Sequence, residues 1–104
     1  VPLRPQSGEG PPLWLQRAGS FRLRVHATTE DRAKSTLVEV RGAGDPGYRA
    51  TSKMIAEVGL ALLLDDGASP LAGVLTPATA LGPTLRRRLS KVEQGRFMQF
   101  RQLD

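Results

Sequence analysis

Cysteine is missing from the 104 residues of this chain, which excludes disulfide bridges, thiolate metal ligands and thiol nucleophiles together. Histidine occurs once, at His26, with no cysteine and no carboxylate at ligand spacing beside it, so no metal-ligating residue is assigned. No apolar run approaches the roughly twenty residues that a bilayer span needs. No charged-then-apolar segment opens the chain as a secretion signal would. A cytoplasmic setting follows as the expectation, with peripheral membrane contact as its variant. Aromatics are scarce: one Trp, one Tyr and three Phe offer few rings for stacking bases, which disfavours nucleic acid as a partner. No Gly-x-Gly-x-x-Gly is expected after a strand, no Gly-x-x-x-x-Gly-Lys-Ser/Thr loop occurs and no cofactor-binding residue is assigned, so the chain alone is expected to bind no nucleotide. No serine or threonine stands beside a base and a group to orient it, so the catalytic residues stay unknown.

What is present suits one small folded domain. Hydrophobic residues make up 39% of the chain, above the level of disordered tails, and a domain of this length removes only about two-thirds of its unfolded surface from water. Eleven Gly and eight Pro break it into short elements, because Gly permits positive φ and Pro lacks a backbone donor. Fifteen Lys and Arg against ten Asp and Glu leave a formal charge of +5. That excess attracts anionic partners without specifying one.

The expected organisation is an irregular Pro/Gly-rich lead-in over residues 1–19, with a short helical turn at its end, followed by an α+β segment over residues 20–104. Phe21, Leu23 and Val25 alternate with Arg22, Arg24 and His26, the period of a half-buried strand. A second strand runs from Thr36 to Arg41, and the polar loop between them implies an antiparallel hairpin. Thr51 or Ser52 is placed to cap a helix that runs to about Leu64, with Gly67 expected in the left-handed conformation beyond it. Gly73 to Pro77 reads as a short strand or extended segment. Thr76 and Pro77 then start a helix that Gly82-Pro83 interrupts, and Phe97 to Phe100 reads as a last strand. The fold class is thus α+β, a small antiparallel or mixed sheet of about three strands with two or three helices.

The helix from Met54 to Leu64 is apolar most of the way round, with only Lys53 and Glu57 marking a polar edge. Two or three strands cannot cover such a helix on every side. It is therefore expected to meet a neighbouring domain, a partner subunit or a second copy of itself. Gly44 to Thr51, between strand and helix, can face an anionic ligand with free N–H groups or serve as a tight structural turn. The Arg86-Arg87-Arg88 run divides in the same way between a solvated helix surface and a phosphate grip.

Four blocks in order give a more specific signal: Ser7 to Pro11, Gly44 to Thr51, Lys53 to Glu57, and Gly73 to Gly82. Together they resemble the C-terminal part of saccharopine dehydrogenase-like oxidoreductases, including bacterial trans-acting enoyl reductases of lipid synthesis. The resemblance implies a longer polypeptide with an N-terminal Rossmann domain for NAD(P) and a substrate or dimerisation-type domain that this chain completes. The fold is then incomplete without that neighbour or a partner subunit, and no cofactor is bound by this chain alone. Asp45, Tyr48 and Thr51 are the substrate-cleft candidates. The competing reading is a small basic interaction module that binds an anionic partner, a membrane lipid or nucleic acid.

Overall fold

The computed structural model describes residues 7–104; the start of the expected lead-in, residues 1–6, lies outside the described residues. A short helix α1 (Leu13–Ala18) precedes strands β1 (Ser20–Thr28) and β2 (Ser35–Ala43). Helices α2 (Arg49–Leu64) and α3 (Pro77–Lys91), a 3-10 turn (Val92–Gly95) and strand β3 (Met98–Gln102) follow. The sheet order is β1-β2-β3 and both pairings are antiparallel. This is the expected small α+β arrangement.

The hairpin register sets Ser20 opposite Ala43 and Thr28 opposite Ser35. Its polar connection is closed by the side chain of Asp31, whose Oδ1 accepts from the Thr29 hydroxyl at 2.5 Å and the Ala33 N–H at 3.0 Å. Those bonds, the Thr29 hydroxyl first, hold the Asp31 carboxyl below the usual carboxylate range.

Strand alternation gives the sheet two unlike faces. Phe21, Leu23, Val25, Val38, Val40, Met98 and Phe100 share one. The helices cover only the end of it nearest Phe21 and Met98, where Ala50, Leu89, Phe97 and Met98 form the buried core. Phe21, Val40, Met54, Leu85, Val92 and Phe100 pack around them. The cover ends before the far end of β1, leaving Leu23 and Val25 55% and 47% exposed. The expected half-burial of β1 thus holds at Phe21 and fails beyond it, for want of a helix above.

Helix α2 starts earlier than a Thr51 or Ser52 cap would have it. The turn is set by Asp45, whose Oδ2 accepts the Tyr48 N–H at 2.8 Å and whose carbonyl accepts the Ala50 N–H at 2.9 Å. Thr51 and Ser52, already inside the helix, donate their hydroxyls back to the carbonyls of Pro46 and Arg49. The helix stops at Leu64, and the Asp65 N–H reaches the Ala61 carbonyl. Gly67 is not left-handed, contrary to expectation. Its lack of a side chain serves Thr84 instead, whose hydroxyl fills the space a Cβ would take and lies 3.4 Å from the Gly67 carbonyl.

Thr76 caps α3 by accepting the Thr79 N–H, with Pro77 in the first turn. Gly82, at φ 44° and ψ −123°, splits the helix just ahead of Pro83, at the expected interruption. Gly73 to Thr76 joins no strand; it is a loop that leaves Val74 fully exposed, and Pro77 already belongs to α3. The last strand begins at Met98 because Phe97 turns its ring wholly into the core.

Candidate functional site

Asp45, Tyr48 and Thr51 come together at the β2–α2 junction, buttressed by α1. The Asp45 N–H donates to the Gln16 carbonyl at 2.9 Å and the Gly44 N–H to the Gly19 carbonyl at 2.6 Å. The Tyr48 ring lies over Gly10, where a Cβ would sit 3.1 Å from it. The hydrogen bonds of Asp45 and Thr51 described above are those of the turn itself. Because the Asp45 carboxylate already stands at the start of α2, it occupies and repels where an anionic ligand would approach. Tyr48, 54% exposed, and Thr51 turn surface outward, while Asp45 is half-buried.

The same junction spells Gly42-x-Gly44-x-x-Gly47 between a strand and a helix, a match in letters to the dinucleotide fingerprint, so the expectation that no such motif follows a strand is corrected. The fingerprint works within a parallel βαβ unit. Here β2 is antiparallel to both neighbours. Gly42 is needed because the Phe21 ring lies across it, and Gly44 because its φ is +92°. The residues present do not fit a dinucleotide site of that kind, and no step of a reaction is derived through one.

The uncovered sheet face carries the strongest charge arrangement, which sequence reasoning missed. Arg22 and Arg24 on β1, Glu39 and Arg41 on β2, and Gln99 and Arg101 on β3 share it by alternation and register. Glu39 is 1% exposed, covered by arginine side chains rather than by core. Its Oε2 accepts from Arg24 Nε at 3.0 Å and lies 3.8 Å from Arg22 Nε, while Oε1 accepts from Arg41 Nε. The Arg24 bond, with Arg41 and Arg22 behind it, holds the Glu39 carboxyl below the usual range against the loss of solvent. The signal lay in the strand pattern once the hairpin register is applied, since Arg24 pairs directly with Glu39.

Beside this cluster is an open depression of about 540 Å³ lined by Ser20, Arg22, Arg41, Arg96, Phe97 and Gln99 among others. His26 continues the polar face at its far end, and no cluster of three metal-ligating side chains occurs among the described residues. The Arg86-Arg87-Arg88 run disperses. Arg88 turns into the α2–α3 interface and bonds Glu57 at 2.8 Å and Asp65 at 3.1 Å, Arg87 bonds Thr84, and Arg86 is exposed.

No helix among the described residues is long and apolar enough to cross a membrane. Across 86 residues the chain is 44% identical to a Mycobacterium tuberculosis (strain H37Rv) protein provisionally named a trans-acting enoyl reductase. Over the same length it is 36% identical to the trans-acting enoyl reductase of Mycobacterium bovis BCG and 37% to that of Mycobacterium leprae. Each match covers 82% of this chain and 20% of the relative, so the matched part spans about one fifth of their length. No family model matches the chain, and no solved structure matches it. Most of this chain therefore resembles one stretch of trans-acting enoyl reductases.

Proposed function

We propose that this chain is the C-terminal structural part of an NAD(P)-dependent, saccharopine dehydrogenase-like oxidoreductase that, when whole, reduces enoyl or keto groups in lipid metabolism. The 36–44% identity to proteins named trans-acting enoyl reductase carries this reading. Alone the chain is catalytically silent. The nicotinamide, held by a Rossmann domain elsewhere in the polypeptide, supplies the hydride. This chain braces that domain and closes the substrate side, where Tyr48, with Asp45 and Thr51 shaping its turn, faces the cleft.

The apolar outer side of α2 supports the bracing role. Ile55, Leu62, Leu63 and Leu64 are between 57% and 79% exposed, with Leu60 beside them at 40%. Scattered exposed apolar residues are ordinary, but a contiguous set on one helix marks a contact surface. A covering domain of the same polypeptide suits relatives five times longer than the matched stretch.

The test is a chimera in which the 86-residue stretch of the Mycobacterium tuberculosis relative is replaced by the matching stretch of this chain. Reductase activity with a reduced nicotinamide and an enoyl thioester, absent from this chain alone, is the expected result. A folded, cofactor-binding but inactive chimera overturns the proposal, as does reductase activity in the isolated chain.

A further inference from the structure

We propose that the depression between Arg22, Arg41 and Arg96 is a binding site for the phosphate group of a small phosphorylated ligand. It is distinct from the β2–α2 junction, on the opposite side of the sheet from the α2 surface, and does not depend on the reductase reading. Three observations carry it. At about 540 Å³ the depression has the size of small-molecule sites. Its lining brings Arg22, Arg41 and Arg96 together with Gln99 and Ser20, and Phe21, Gly42, Ala43 and Phe97 complete it. Its charge is unbalanced in the sense a phosphate needs: Arg22, Arg41 and Arg96, with Arg24 beside them, outnumber the carboxylates that act on them, Glu39 and, at Arg96, Glu93.

Glu39 is the positioning residue of this site. Long arginine side chains on an open sheet face lose rotamer entropy when they converge on a ligand. Glu39 fixes Arg41 by a hydrogen bond and holds Arg22 at 3.8 Å, so part of that ordering precedes binding. Arg41 bonds Glu39 through Nε, and its planar guanidinium carries further N–H groups of the kind whose forked recognition suits phosphate. On the third side, Arg96 is oriented by its own Nε bond to the Glu93 carbonyl at 3.2 Å. An extended nucleic acid is the weaker occupant, since the floor is a pocket and no exposed ring stands beside it for base stacking.

Titration of the full chain with inorganic phosphate, and separately with phenyl phosphate, acetate and a short single-stranded oligonucleotide, tests the site by calorimetry and arginine Nε–H chemical shifts. Phosphate should bind and shift the Arg22, Arg41 and Arg96 signals, phenyl phosphate should shift the same signals, and acetate should bind much more weakly. Arg22→Gln and Arg96→Gln should each weaken phosphate about tenfold, whereas Arg101→Gln, on the same face outside the depression, should leave it unchanged. Equal losses from Arg101→Gln and Arg22→Gln, or oligonucleotide binding without phosphate binding, would show a diffuse basic surface and overturn the site. Undiminished phosphate affinity in folded Arg22→Gln and Arg96→Gln chains would do the same.

Discussion

Arg24 and Glu39 are direct partners in the β1–β2 register, and their side chains meet at 3.0 Å on the face of the sheet that no helix covers. Cross-strand pairs of opposite charge stabilise a sheet only modestly when exposed. This one differs because the carboxylate is shielded by three arginines, so removing its charge leaves those cations repelling one another.

The Glu39 carboxyl is held below its ordinary value by Arg24 first, and by Arg41 and Arg22 after it. A depressed folded-state value means that its contribution to stability is present above the unfolded pKa and is lost as pH falls through the folded one. Glu39→Gln should therefore lower the urea midpoint near neutral pH. Its curve and that of the parent should converge as acid protonates the parent. Parallel curves down to about pH 3 would show that Glu39 contributes no charge-dependent stability.

Arg88 ties the middle of α2 to its end, bonding Glu57 through Nε and Asp65 through Nη1. Both acids, with hydrogen bonds first in effect, raise its pKa further, so it stays charged at every working pH. Arg88→Met should lower the thermal midpoint clearly more than Arg86→Met, because only the first leaves two carboxylates facing each other without a cation. Glu57→Gln added to Arg88→Met should cost less than Glu57→Gln alone, a coupling read from the double-mutant cycle. Additive losses would separate the two residues.

Much of this fold could be read along the chain because local pattern and packing agree. The alternation from Phe21 to His26 has one outcome in a hairpin, and the Thr76-Pro77 and Gly82-Pro83 signals act within a few residues of themselves. Reading failed where a distant residue decides. The start of α2 is drawn back by Asp45, whose carboxylate reaches Tyr48. Gly67 is shaped by Thr84 from another helix rather than by its own φ. Of the candidate site, the junction residues were visible as a loop motif, but the arginine cluster was not. Arg22, Arg41 and Arg96 belong to three separate segments; the strand register pairs the first two, and the turn ahead of β3 adds the third to the same depression.

Gly42 is buried near the end of β2, the middle strand of the sheet, and any side chain there would run into the Phe21 ring on the neighbouring strand. Phe21 packs on the core, so it cannot swing away freely. Gly42→Ala should cost about 1–3 kcal/mol of stability, the range for overpacking. In a Phe21→Ala background the same change should cost less, because the ring that blocks it is gone. An equal cost in both backgrounds, measured by denaturant unfolding, would trace the effect to the strand backbone instead.

The outer side of α2 separates a helix sealed by its own chain from one awaiting a cover. Ile55 and Leu63 are 70% and 79% exposed, while Ala50 and Ala61 on the inner side are fully buried. Replacing an exposed apolar residue with lysine keeps helix propensity and removes little buried area. Ile55→Lys and Leu63→Lys should therefore change the unfolding free energy of the isolated chain by no more than about 0.5 kcal/mol, and should reduce any self-association seen by light scattering. The same changes carried into the reductase chimera should weaken it severely, because there each lysine would be trapped without a partner under the covering domain. A loss of 2 kcal/mol or more in the isolated chain, about the cost of disturbing a packed core, would mean that this face is already buried by the chain's own residues. The bracing role would then lose its physical basis whatever the chimera does.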